Sequence, residues 1–138
     1  MSSAELENLV RIGQLHPEPP DDDELRGLIH SGAVRLKDAR SPRLSAESRF
    51  DLAYNAAHAF ALAALRARGF RARSRYLVFQ ALPHTLGLES SDWRVLDQAH
   101  RKRNLAEYEG EAEIDEALLE ALIRVVTQLE DRARALTP

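Results

Sequence analysis

The stretch from Ser45 to about Arg68 decides what this chain can become. Phe50, Ala53, Tyr54, Ala57, Phe60, Ala61, Ala64 and Leu65 recur at helical spacing and carry apolar character around much of the circumference. A helix with one apolar stripe can lie on a surface; one that is apolar on most sides needs neighbours on most sides. Ser45, with Glu47 or Ser48, can start it. Gly69 can stop it in the left-handed conformation, with Phe70 packing back on the last turn. The remaining segments must therefore supply partners for this central helix.

Those segments read as helices too. Residues 3–15 form a short one with Leu6, Leu9 and Val10 on one side, ended by His16-Pro17-Glu18-Pro19-Pro20, where the prolines deny backbone donors. Asp21, Asp22, Asp23 and Glu24 place negative charge at the start of the next helix, whose Leu25, Leu28, Ile29, Gly32 and Leu36 share a face. This contiguous acidic run reads as a solvated cap, because a carboxylate metal site needs convergent ligands. A fourth helix spans about 74–86, with Pro83 kinking or ending it. A fifth spans about 91–108, with Ser90 and Ser91 as caps and Gly110 as its stop. The last spans about 114–135 on a regular stripe of Ile114, Leu118, Ala121, Leu122, Val125 and Leu129, suited to packing lengthwise on the central helix.

No segment shows sustained strand alternation, and no repeat of 20 to 50 residues is visible. The expected fold is all-α: an antiparallel bundle of about five main helices with a short N-terminal helix. It forms a single domain over 1–138, with residues 1–20 as N-terminal helix and Pro-rich linker and 21–136 as the bundle. A chain of 138 residues can bury a core without covalent staples.

Several chemistries are excluded. With no Cys there are no disulfides, thiolate metal sites or cysteine nucleophiles, and the cytoplasm is the simplest placement. The start lacks a basic-then-apolar leader, and no segment approaches membrane-spanning length. Gly-rich phosphate loops, His-Glu-x-x-His pairs and Gly-x-Ser-x-Gly elbows are absent. His16, His30, His58, His84 and His100 are not paired at metal-binding spacing, so neither metal nor cofactor is expected.

Charge is unevenly distributed. Arg66 to Arg103 holds nine Lys/Arg against three Asp/Glu, while the rest holds ten against nineteen. The basic middle, with Arg66, Arg68, Arg71, Arg73 and Arg75 around one junction, reads as an exposed patch able to meet phosphates. Alternatively, the acidic ends fold back and neutralise it.

Two polar rows interrupt buried faces. On the fifth helix the face of Trp93, Leu96 and Ala99 continues through His100, Arg103, Ala106 and Glu107, next to Arg101, Lys102 and Asn104. On the central helix Asp51, Asn55 and His58 form one stripe. Ionisable groups near a seam need partners or a ligand, so the two rows are candidates for one shared site. The plainer alternative is an Arg103/Glu107 pair on a wet helix end anchored by Tyr108.

These residues also carry a family resemblance. Phe50-Asp51-Leu52-Ala53-Tyr54-Asn55-Ala56-Ala57, followed by Arg103-Asn104-Leu105-Ala106-Glu107-Tyr108, resembles the HEPN family of small helical domains over roughly residues 20–135. Many members of that family are metal-independent ribonucleases, often toxins paired with a small nucleotidyltransferase, and others are non-catalytic binding modules. The resemblance implies a homodimer, with Arg103 and Asn104 in the motif and Asp51 or Asn55 as the earlier polar residue. Ribonuclease members close the motif with His four to six residues after the Arg, where this chain has Tyr108, Glu109 and Gly110. The resemblance thus implies binding of RNA, a nucleotide or a protein partner without strong catalysis. The alternatives are a toxin-type ribonuclease using Arg103 with His100, and a helical adaptor whose polar seam is only structural.

Overall fold

The computed structural model describes residues 4–110 and 113–137, the side chains of residues 107–109 excepted. In chain order the elements are α1 (Ala4–Arg11), β1 (Leu15–Pro17), α2 (Asp22–Ala39), α3 (Ala46–Ala67), β2 (Phe70–Ala72), α4 (Arg75–Gln80), α5 (Leu82–Thr85), α6 (Ser90–Glu109) and α7 (Glu116–Arg134). Among the described residues the chain is all-α apart from one short two-stranded ribbon.

Helix α3 is enclosed as its composition demands. Ala53, Ala56, Ala57, Phe60, Ala61, Ala63, Ala64 and Leu65 are all buried. Both α2 and α7 pack along it, and α4, α5 and α6 cover the remaining side. The short connection between α2 and α3 forces these two packed helices to run antiparallel. Close approach rests on small residues: Gly32 of α2 faces the fully buried Phe60 ring, with no room for a methyl group between them. Leu119, Leu122, Val125, Val126 and Leu129 bury the facing stripe of α7.

The helix starts follow local chemistry. The Asp21 carboxylate accepts from the Asp23 and Glu24 amides at 2.9 and 3.2 Å, and Ser45 caps α3 by accepting from Ser48 N at 3.1 Å. Gly110, at φ 70°, ends α6 in the left-handed region as expected. Ser90 and Ser91 are not caps, however. Glu89 takes the cap position without a side-chain hydrogen bond, and both serines lie in the first turn.

Three further expectations are corrected. The first helix stops at Arg11, and Leu15–Pro17 instead pairs antiparallel with Phe70–Ala72, a strand following the left-handed Gly69. Strands of three residues are too short for period-2 alternation to be visible, and Pro17 is tolerated because a two-stranded ribbon is all edge. The fourth helix divides into α4 and α5, with Pro83 in the first turn of α5, where a missing amide donor costs nothing.

The third correction concerns Arg66, which is 2% exposed rather than part of a solvated patch. Its Nε donates to Glu24 Oε1 at 2.7 Å, and its terminal nitrogens donate to the carbonyls of Glu18, Pro19 and Phe70 at 3.0, 2.8 and 3.2 Å. Arg71 joins the cluster, 2.7 Å from Glu18 Oε2 and 2.8 Å from Glu24 Oε2. Acidic residues of the linker and of α2 therefore fold back on two of the five junction arginines. This cluster ties the Pro-rich linker and the ribbon to the end of α3. Glu24 is thereby a partner in the bundle, not merely part of a solvated cap.

Candidate functional site

The two polar rows meet where α3 passes α6. Arg103 Nε lies 3.6 Å from Asp51 Oδ1, and its guanidinium carbon sits 4.8 Å from the centre of the Tyr54 ring, a cation–π geometry. Tyr54 is 1% exposed, and its hydroxyl lies 2.9 Å from His100 Nδ1. The other ring nitrogen of His100 is 3.3 Å from the Asn104 amide nitrogen one turn along. With Asn104 donating to Nε2, the ring proton sits on Nδ1 and is donated to the Tyr54 hydroxyl. Turning the Asn104 amide over reverses the direction of the chain.

Aromatic rings surround this chain. The Phe79 ring lies 5.5 Å from Tyr54, 6.0 Å from His58 and 6.2 Å from His100, all edge-on. Tyr76, 38% exposed, places its ring 5.5 Å from His100 and 6.5 Å from Trp93. Trp93 Nε1 donates to the Phe79 carbonyl at 3.0 Å, which fixes α4 against α6.

Electrostatics keep both imidazoles neutral. Burial pushes His58 down to about 4, helped by the charges of Arg75 and Arg103. Burial also lowers His100; Asp97 opposes that shift, and Arg103, Arg75 and Arg101 add to it. Both imidazoles thus lie within reach of arginine charge, with the Asp51 carboxylate 3.6 Å from Arg103 Nε.

Open space lies on both sides. A crevice of about 300 Å³ is lined by Glu47, Ser48, Asp51, Arg103, Ala106 and Ile114. A second cleft of about 250 Å³ lies between α3 and the β2–α4 segment, lined among others by His58, Arg71, Arg73, Ser74 and Arg75.

The expected site residues thus divide. Asp51, His100, Arg103 and Asn104 are brought together, and His58 meets the same Phe79 ring from the second cleft. The Asn55 amide donates to the Asp51 carbonyl of its own helix at 2.8 Å. Arg101 is exposed and pairs with Asp97 on α6 at 3.2 Å, while Lys102 is half-buried beside it. Arg71 lines the second cleft, but Glu18 and Glu24 match its charge. Arg73 and Arg75 are exposed there, and no carboxylate of the described residues lies within ion-pair distance of either. The side chains of Glu107 and Tyr108 lie outside the described residues.

Sequence reasoning missed Tyr54 as a site residue by assigning it to apolar packing, and did not single out Tyr76 or Phe79. The signal for Tyr54 was present: a phenol on an interior face must find a hydrogen-bond partner, and His100 lay on the facing row.

Among the described residues no helix is long and apolar enough to cross a membrane, and no cluster of His, Asp or Glu is arranged to hold a metal ion. Searches of family models and of curated proteins returned no match to this chain.

Proposed function

We propose that this chain is a HEPN-like helical module that binds a phosphate-bearing ligand, RNA or a nucleotide, at the seam of α3, α4 and α6. The observation that carries the reading is the placement of Arg103 against Tyr54 and Asp51, one turn from a neutral His100. Arginine meets phosphate oxygens through a planar fork of donors, and the cation–π contact with Tyr54 holds that fork in place. The exposed ring of Tyr76 beside His100 offers a surface on which a base can stack. With the HEPN resemblance come a two-fold dimer, a nucleotidyltransferase-type partner in a toxin–antitoxin pair, and a cytoplasmic setting, all as parts of the same proposal.

A second reading, metal-independent ribonuclease activity, is favoured by the state of His100. Cleavage through the ribose 2′-hydroxyl needs a base to accept its proton and a cation to stabilise the phosphorane. An imidazole neutral at pH 7 can accept that proton, whereas a tyrosine with its usual pKa near 10 is a poor base. Arg103 then supplies the positive charge.

The test is incubation of mixed RNA with the native chain, Arg103→Ala and His100→Ala, followed by gel and filter-binding assays. Salt-sensitive binding that weakens in Arg103→Ala, without cleavage in any sample, supports the binding module. Cleavage lost in both variants supports the ribonuclease. Absence of binding both to RNA and to a nucleoside triphosphate in the native chain, or binding indifferent to Arg103, overturns both.

A further inference from the structure

Phe79 links the seam to the second cleft, its ring 6.0 Å from His58 and 6.2 Å from His100. The charges of Arg75 and Arg103 act on both histidines, while the Asp51 crevice and the cleft beneath β2–α4 are lined by separate residues. Within that cleft the wall is fixed from behind. Arg71 is held by Glu18 and Glu24 and carries the same ribbon that Arg66 pins to α3. Pinning β2 in this way sets where Arg73 and Arg75 can reach. Arg73 approaches the Gly13 carbonyl at 3.5 Å, a contact that leaves its charge unmatched. His58 forms the floor, its ring edge-on to Phe79.

We infer that this cleft is a second anion subsite, taking a phosphate group of the ligand between Arg73, Arg75 and His58. The inference rests on the proposed phosphate-bearing ligand and extends it: the ligand carries at least two phosphates, one at Arg103 and one at Arg73 and Arg75. A nucleoside polyphosphate and a short strand both supply such a pair. A ligand with a single phosphate would occupy one subsite and leave the other empty.

The subsite has a reporter in His58. A phosphate monoanion beside it, the form present in the acidic range where His58 titrates, stabilises the imidazolium, opposing Arg75 and Arg103, with Arg73 and Arg71 in the cleft wall and Asp51 two turns away on its own helix. The experiment follows the His58 ring by NMR in the full chain while inorganic phosphate is added at constant ionic strength, with chloride as the control. Phosphate is expected to raise the pH at which His58 titrates from about 4 by about one unit, read from the ring signal followed across the acid titration. The response is expected to vanish in the Arg73→Ala/Arg75→Ala double variant and to persist in Arg103→Ala. The ring-current shift from Phe79 shows whether each variant is folded.

A His58 ring indifferent to phosphate, or responding equally in the double variant, overturns the subsite. Short single-stranded RNA and a nucleoside triphosphate, titrated in parallel, distinguish the two sources of phosphate. Failure of the proposed function reads differently: RNA binding would be indifferent to Arg103 whatever His58 does. A native-like RNA affinity in the Arg73/Arg75 double variant, with Arg103→Ala impaired, overturns only the second subsite.

Discussion

Removing Arg66 is expected to loosen the wall of the cleft before it touches the seam. In Arg66→Ala four hydrogen bonds are lost, to Glu24 Oε1 and to the carbonyls of Glu18, Pro19 and Phe70, together with the 3.2 Å approach to Glu18 Oε2. A net hydrogen bond contributes about 1 kcal/mol, and breaking a buried ion pair from one side costs about 3–5 kcal/mol. The partner carboxylates are 30–40% exposed, so water takes over part of their solvation and the electrostatic part is reduced. A loss of about 3–4 kcal/mol follows once the truncated stem of a 2%-exposed side chain is included. Against a typical total of about 5–15 kcal/mol, that is a substantial fraction. For a chain of this length it lowers Tm by roughly 10–15 °C, measurable by circular dichroism. Amide exchange adds spatial detail, because the Glu18 amide, bonded to the Gly69 carbonyl at 2.9 Å, should lose protection before the α3 core does. A Tm change below about 3 °C with the Glu18 amide still protected would refute the claim that Arg66 anchors linker and ribbon.

Other expectations can be checked on the same preparations. Gly32→Ala places a methyl group 2.6 Å from Phe60 Cε1, so the helix-propensity gain of about 1 kcal/mol is outweighed by overpacking of about 1–3 kcal/mol. Gly27→Ala, with open space at the same helix's surface, should instead gain about 0.5–1 kcal/mol, and urea unfolding should give the two variants opposite signs. Acid should destabilise the chain in two stages. His58 titrates lower when folded than the ordinary 6.5 of a histidine, so its contribution is full above 6.5 and is lost as pH falls towards about 4. Glu18 and Glu24 are also lowered, first by hydrogen bonds from Arg71, and their contribution is lost as pH falls below their ordinary 4.5. Replacing His58 with Gln should shrink the first stage of a stability-versus-pH series to the share left by His100, which burial also lowers, and leave the second unchanged. Tyr54→Phe removes the hydroxyl bonded to His100 but keeps the ring under Arg103, and should cost about 1–2 kcal/mol by thermal unfolding.

How much of this was legible beforehand varies by element. The enclosure of α3 was readable because apolar residues on most sides of a helix have only one physical solution, and the polar takeover at His100 and Arg103 was readable from the same periodicity. The ribbon was not, since three residues carry no alternation to detect. Arg66 and Arg71 were misjudged as exposed because run-length charge counting ignores partners 42 to 53 residues away in sequence. Arg66 had a local clue: it continues the buried face of α3 at i+3 and i+6 from Ala63 and Phe60, where an arginine must be paired. The meeting of Tyr54 with His100 joins residues 46 apart, and only packing reveals it.

The most direct measurement is the affinity of a short single-stranded RNA for the native chain, for Arg103→Ala and for Arg134→Ala, read by fluorescence anisotropy over a range of salt. Arg134 lies on α7 paired with Glu130 at 3.1 Å and serves as the control for simple loss of a positive charge. If Arg103 grips a phosphate, its removal costs about 1.5–3 kcal/mol, a fall of roughly tenfold to more than a hundredfold, with a shallower salt slope, while Arg134→Ala stays near native. Equal small losses in both variants would mean that the seam holds no phosphate and that Arg103 serves only to pack α6 on α3.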